Sequence, residues 1–347
     1  MVEALDLFKE TFAPYGLNKD SIVPGYGLAE HCVYVCDGGK SIIDVEKEKL
    51  EKEGVVKISS DSLNVCNTHL VSRQISCGFP SYNPDIIVAI VDHSTNKPLE
   101  NDNVGEIWID SPSKAHGYFG LEEKSKEDFH ATINSEWFDS DEAAKNTTLR
   151  DYGKSHSFLR TGDLGFIHDG ELYICGRIKD LIIIRGRNHY PQDIEHCAEQ
   201  NENLRPGCSA AFSLNMADSE ALVIVCEVKE DNIPKLDEIA AVIKNSISNE
   251  HGVGVYSVVL VKPRTNYKTS SGKIARQRCK ASYLDKSLSV LYSFTSSENG
   301  ISEEYEKELA SMEKGSWDSP EDLLKKLCDD AAKFLGPEAK KTGIFLN

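Results

Sequence analysis

One break in the hydrophobic pattern, at Gly176, constrains the fold of this chain more than any other feature. Before it, from about residue 75, short β-prone runs at 86–91, 105–109 and 171–175 alternate with turn residues. After it the pattern becomes mixed. Residues 180–184 read as a strand, Arg185-Gly186-Arg187-Asn188 as a turn, and 191–199 as a helix opening on Pro191. Strands follow near 209–212, 222–228 and 257–261, with a helix over 236–248 between the last two. This second stretch is a complete α+β unit of roughly a hundred residues, an ordinary domain size. The expected fold class is therefore α/β and α+β: the end of a larger domain, finishing in a β-rich subdomain, followed by a small α+β domain.

The remaining segments fill in around that break. Residues 1–36 read as helix, loop and strand, turning at Asp37-Gly38-Gly39. Residues 40–72 are charged and weakly patterned, like an insertion, and 121–157 read as polar helix and surface loop. A polar linker is expected at 293–302. An amphipathic helix is expected from Ser319, with Leu323, Leu324, Leu327, Ala331, Phe334 and Leu335 on one side and Gly336-Pro337 as its stop. The expected domains are 1–176, 177–286 and a tail over 287–347. No internal repeat is visible.

Composition narrows the function classes. The 347 residues allow two domains with ordinary cores, and 40% hydrophobic with 27% charged residues is a globular balance. The apolar runs are strand-sized, so no membrane span is expected. MVEALDLFKE shows no secretory signal and reads as the middle of an amphipathic helix, as though the chain begins inside a domain. Ten cysteines without a CxxC pair suggest reduced thiols and a cytoplasmic location. A formal net charge of −17 argues against nucleic acid as a partner.

Four segments carry chemistry: Tyr26-Gly27-Leu28-Ala29-Glu30, Arg160-Thr161-Gly162-Asp163-Leu164-Gly165, Gly176-Arg177-Ile178-Lys179-Asp180 and Thr269-Ser270-Ser271-Gly272-Lys273-Ile274. Each alone has a plainer reading. The first two could be turns, Arg177 and Asp180 a surface ion pair, and Lys273 an exposed lysine before a helix. Tyr267 and Ile274 exclude a phosphate-loop motif around Lys273, and Glu30 stands where a dinucleotide fingerprint needs its third glycine.

In this order and spacing the four segments resemble the adenylate-forming superfamily of acyl-CoA synthetases, luciferases and peptide-synthetase adenylation domains, over about residues 1–285. The resemblance implies ATP and Mg²⁺ as cofactors. It implies that Tyr26, beside Gly27, stacks on adenine, that Glu30 helps hold Mg²⁺, that Asp163 accepts both ribose hydroxyls, and that Arg177 lies near the ribose. Lys273 matches the catalytic lysine, carried on a loop of the small domain, and Lys179 matches the hinge about which that domain rotates. The residue types suit these roles: a flat ring for a purine, a carboxylate for a diol, and a cation where phosphate charge builds.

Within the superfamily, Ile75-Ser76-Cys77-Gly78-Phe79-Pro80 and the segment 40–72 resemble the fatty acyl-AMP ligases. That branch implies a fatty acid as substrate and the phosphopantetheine arm of an acyl carrier protein as acceptor, within a polyketide or lipid synthase. The basic stretch Lys262, Arg264, Lys268, Lys273, Arg276, Arg278 and Lys280 would suit an acidic carrier, or is simply a solvated face. Two alternatives stand beside this reading: a long-chain acyl-CoA synthetase using CoA, and a non-catalytic docking module. The family's Ser/Thr/Gly-rich phosphate loop lies upstream of the first segment and has no counterpart here, so this chain by itself is expected to be inactive. Asn266-Tyr267, where the family often has Leu-Pro, and His31, where the branch has a small residue, depart from the pattern.

Overall fold

The computed structural model describes residues 2–59, 70–216, 220–230, 233–269 and 272–296. The chain opens on α1 (Val2–Phe12), ended by Pro14 and Gly16, and continues through short 3₁₀ turns into the Tyr26 loop. Residues 40–59 are more ordered than the weak patterning of 40–72 suggests. They contain β1 (Ile42–Glu46) and α2 (Lys47–Glu53), and are followed by β2 (Val71–Ile75), which pairs antiparallel with β1. Gly54 caps α2 in the left-handed region that favours glycine (φ 64°).

The β-rich stretch is an antiparallel sheet in the order β3 (Ile87–Val91), β4 (Gly105–Asp110), β5 (Leu159–His168), β6 (Glu171–Arg177). The strand β5 absorbs the Arg160–Gly165 segment, so those residues lie within a bulged strand rather than a plain turn. Period-two alternation gives the sheet two buried faces. Trp108 packs with Ile133, Trp137, Leu149 and Phe158 on one side. Ile107 and Ile109 pack with Val35, Cys36 and Leu172 on the other. The first face is covered by the polar-looking segment 121–157, which folds as α3 (Glu122–Phe129), α4 (Asp141–Lys145) and α5 (Thr147–Gly153). Ser140 and Asn146 accept N–H bonds from Ala143 and Leu149 and so cap the last two helices.

Beyond Gly176 come β7 (Ile182–Ile184) and β8 (Arg187–His189), joined by a turn in which Arg185 (φ 53°) and Gly186 (φ 72°) are both left-handed, as a tight hairpin requires. Then follow α6 (Pro191–Glu199), β9 (Leu204–Asn215), β10 (Glu220–Val228), α7 (Leu236–His251), β11 (Val255–Val261), α8 (Arg276–Leu284) and β12 (Val290–Thr295). The sheet order is β12-β11-β10-β9. Strands β10 and β11 run parallel, so the chain between them needs a crossover, which α7 supplies. Its apolar stripe of Ile239, Ile243 and Ile247 packs against Ile224, Val258 and Leu260. Where the sequence suggests a linker from residue 293, Val290–Thr295 instead forms the edge strand, antiparallel to β11. The amphipathic helix expected after Ser319 lies outside the described residues. The described parts of Met1–Leu214 and Glu220–Ser297 pack as one unit. Among the described residues no helix is long and apolar enough to cross a membrane.

Candidate functional site

The site is built on β5, the end of β6 and the loop that carries Tyr26. That loop is held by backbone bonds from the Tyr26 N–H to the Cys36 carbonyl (2.8 Å) and from the Val35 N–H to the Tyr26 carbonyl (3.0 Å). Gly27 lies so close to the returning chain that an added Cβ would fall 1.3 Å from the Val33 carbonyl oxygen, so only glycine fits. His31 locks the far side of the loop. It is fully buried, donates from Nδ1 to the Tyr34 carbonyl (2.6 Å), and accepts at Nε2 from the Ser111 hydroxyl (2.6 Å). The segment 75–80 buttresses the same loop. Ser76 Oγ donates to Glu171 (3.0 Å) and accepts from the Gly78 N–H (2.9 Å), while Gly78 approaches the Asp37 carbonyl where no side chain could.

Asp163 is the centre of the arrangement. Its carboxylate is 6% exposed, so it needs partners. Oδ2 accepts from the Tyr26 hydroxyl (2.7 Å) and Oδ1 from Arg177 Nε (2.9 Å). The contact is possible because Asp163 and Arg177 are register partners on β5 and β6. Burial, then the Asp163 charge, pushes the Tyr26 hydroxyl far above its usual range, so it stays a donor. The Asp163 carboxylate raises Arg177 further. Two of the roughly four acceptor positions of a carboxylate are thus occupied, leaving capacity for a diol.

Behind this cluster stands a group that sequence reading missed. Glu106, 2% exposed on β4, accepts from Trp108 Nε1 (2.9 Å), Arg160 Nε (3.0 Å) and the Gly162 N–H (3.2 Å). Thr161 Oγ1 donates to the Ile107 carbonyl (2.7 Å) and accepts from the Asp163 N–H (3.1 Å). Gly162 takes a left-handed φ of 69°, which turns the bulge that presents Asp163. The available signal was a glutamate in an otherwise apolar strand run, a residue type seldom buried without a partner.

Glu30 lies on the 3₁₀ turn Ala29–His31 that continues the Tyr26 loop. Tyr118 Oη donates to Glu30 Oε1 (2.9 Å), and its hydroxyl is pushed up to about 12 by burial and by Glu30, with Arg177 acting in the opposite sense. Tyr26, Asp163 and Arg177 supply the kinds of group expected of an adenosine site: an aromatic ring, a buried carboxylate and a guanidinium. Glu30 gives one hard carboxylate, which is what Mg²⁺ takes when substrate phosphates and water supply its other ligands.

Lys273 and Lys179 are not part of this cluster. Lys273 is exposed on a loop closed by the Thr269 N–H to the Lys273 carbonyl (2.8 Å) and the Ala275 N–H to the Tyr267 carbonyl (2.9 Å). Among the described residues its side chain makes no hydrogen bond or ion pair with Tyr26, Asp163, Arg177 or Glu30. The departing pair has its own role here. Asn266 is buried, its N–H donating to Glu227 (2.6 Å) and its amide to the Cys208 carbonyl (2.9 Å), while Tyr267 lies under Arg278 at 4.3 Å. Lys179 lies in a single 3₁₀ turn after β6, and its carbonyl accepts from Gln277 (3.1 Å). Next to it Asp180 accepts from Arg276 Nη1 (3.0 Å), and Arg276 also makes a two-pronged bond to Glu195 (2.6 and 2.7 Å). Arg276 is therefore an internal strut, which removes it from the basic stretch available to a partner.

The chain is similar to known proteins over most of its length. Residues 179–293 match the family described as Disco-interacting protein 2-like, AMP domain. The chain is 40% identical over 293 residues to the medium-chain-fatty-acid–[acyl-carrier-protein] ligase JamA of Moorena producens, covering 82% of this chain and 46% of that protein. It is 37% identical over 309 residues to the long-chain-fatty-acid–AMP ligase FadD32 of Mycobacterium marinum, covering 81% and 46%. A structure from work on fatty acyl-adenylate ligases of E. coli and L. pneumophila superposes with a TM-score of 0.66 at 30% identity, covering 83% of this chain and 46% of that one. Over the matched residues this chain is similar to part of an adenylate-forming acyl ligase. JamA and FadD32 are, more narrowly, ligases of fatty acids, and the chain spans slightly less than half the length of each.

Proposed function

We propose that this chain supplies one wall of the nucleotide site, and the small domain with its lysine, to a fatty acyl-AMP ligase. The observation that carries the reading is the Tyr26–Asp163–Arg177 cluster. ATP with Mg²⁺ would activate a fatty acid to its acyl-adenylate. Tyr26 would face the adenine, Asp163 and Arg177 the ribose, and Glu30 the metal. Residues 177–286 would turn about Lys179 to bring Lys273 to the phosphates and would carry it away once the adenylate exists. The isolation of Lys273 from the cluster supports such a movement. The name of JamA supports an acyl carrier protein as acceptor, and the exposed Lys262, Arg264, Lys268 and Arg278 suit an acidic partner.

The chain by itself is proposed not to turn over, because the phosphates would lack most of their electrostatic stabilisation. The test joins it to the part of a matched ligase that it does not span. Radiolabelled fatty acid is then offered ATP with either a phosphopantetheinylated carrier protein or CoA. Label on the carrier supports the proposal. Label on CoA alone favours an acyl-CoA synthetase. No acyl-adenylate in any arm favours a non-catalytic docking module.

A further inference from the structure

The nucleotide chemistry leaves unused a buried polar cluster where the segment 40–59 meets the α+β unit. Helix α2 contributes Lys47 and Glu51, β8 contributes His189, and the end of α7 contributes His251. Lys47 is 8% exposed and the other three are 3% exposed each. Ligand atoms of Glu51, His189 and His251 all lie within 4.8 Å of one another. Among the described residues, His189 Nδ1 and His251 Nε2 are buried with no hydrogen-bond partner. Nor is Glu51 well satisfied, since the nearest guanidinium nitrogen, Arg187 Nε, stands 3.8 Å away.

We propose that Glu51, His189 and His251 form a binding site for a divalent transition metal of the zinc class, occupied in exchange with the Lys47 ammonium. Two imidazoles and one carboxylate are a ligand set that zinc uses where a fourth position is left to water. Metal–ligand bonds of about 2.1 Å in a tetrahedron place donor atoms about 3.4 Å apart, so at most roughly 1.4 Å of closure is needed. The orphaned His189 Nδ1 is suited to donate a lone pair, His251 offers one from either nitrogen once Lys47 withdraws, and the Glu51 carboxylate, with its nearest guanidinium nitrogen 3.8 Å away, gains from a closer cation.

Lys47 gives the proposal its distinctive signature. Its Nζ lies 3.1 Å from His251 Nδ1, and an ammonium there must donate, which leaves the proton of the neutral ring on Nε2. A metal on Nδ1 takes the lone pair that Lys47 uses. A metal on Nε2 requires the other tautomer, whose Nδ1–H cannot accept from Lys47. Metal and ammonium therefore exclude each other whichever nitrogen binds. A second grouping, Cys197, Glu250 and His251, shares His251 and differs in offering a thiol, which a spectrum can distinguish.

The experiment uses the full chain carrying Cys32→Ser, which removes an exposed thiol, after treatment with a chelator. Zinc is titrated by calorimetry and cobalt(II) by visible absorption. The expected result is one ion per chain, with cobalt d–d bands and no thiolate charge-transfer band. His189→Ala and His251→Ala should each weaken binding on the order of a hundredfold, and Lys47→Met, which removes the competitor, should tighten it on the order of tenfold. Thermal unfolding without metal identifies any variant that fails to fold, and His189→Gln then replaces it. Failure of folded Lys47→Met to bind zinc would overturn the proposal. So would binding indifferent to His189, or a thiolate band lost in Cys197→Ser.

Discussion

At the scale of single residues, the site depends on close approach and on one carboxylate. Gly27→Ala would place a methyl group on the Val33 carbonyl, so the loop must move and Tyr26 with it. In the completed enzyme this change is expected to abolish fatty-acid-dependent adenylate formation and to cost about 3 kcal/mol or more in thermal unfolding. An unchanged melting curve would show that the loop relaxes freely. Asp163→Asn keeps the shape and removes the charge that draws in Tyr26 and Arg177. A non-hydrolysable acyl-adenylate analogue should bind the completed protein roughly ten- to a hundredfold more weakly, since a charged hydrogen bond is worth about 1.5–3 kcal/mol. Equal affinity would remove Asp163 from the ribose role. Tyr26, Asp163 and Arg177 were legible in the sequence because their motifs are local. Glu106 and Tyr118 were not, because their significance arises only when β4 lies beside β5, or when a loop more than eighty residues away returns to Glu30.

At the scale of elements, the junction of α2 with β8 and α7 has a pH dependence whose sign can be worked out. Burial depresses His189 to about 4 and His251 to about 3, with Lys47 acting in the same direction on both, as does Arg187 on His189. In the unfolded chain both take up protons near 6.5, so their contribution to stability is present above that pH and is lost as pH falls toward 4. Glu51 runs the other way. Burial raises it to about 7 against Lys47 and Arg187, so it favours the fold at low pH and opposes it as pH rises from 4.5 to 7. Two histidines outweigh one glutamate, a net slope of roughly 1.4 kcal/mol per pH unit between about 4.5 and 6.5. Metal-free wild type should therefore lose more stability than His189→Asn/His251→Asn when unfolding is followed from about pH 6.5 down to about 4.5. Parallel curves would contradict the assignment. The strands after Gly176 were readable because β-branched runs and Pro191 mark them. The helix and paired strands around residues 40–75 were not, because α2 gives the apolar core one residue, Leu50, amid charged neighbours, and a single leucine makes no readable stripe. The edge strand Val290–Thr295 was hidden for a similar reason: none of its residues is fully buried.

At the scale of the whole molecule, the Tyr26–Asp163–Arg177 cluster and the exposed Lys273 lie on parts of the chain joined through Lys179, and the lysine makes no bond to the cluster in this arrangement. The sequence order of the four motifs made both halves of the site recognisable, but not their separation, which is a property of packing. The strut from Asp180 through Arg276 to Glu195 ties the end of the 3₁₀ turn to the α+β unit, so the unit should move with Asp180 and pivot just before it. The most direct test of the account is fatty-acid-dependent exchange of pyrophosphate into ATP. It is measured on the completed polypeptide and on its Lys273→Ala variant, alongside acyl transfer from preformed acyl-adenylate. The account predicts clear exchange in the wild type. In the variant exchange should fall about a hundredfold, the loss of one cation worth on the order of 3 kcal/mol to the transition state, with acyl transfer nearly unchanged. Equal slowing of both steps, or of neither, would contradict it.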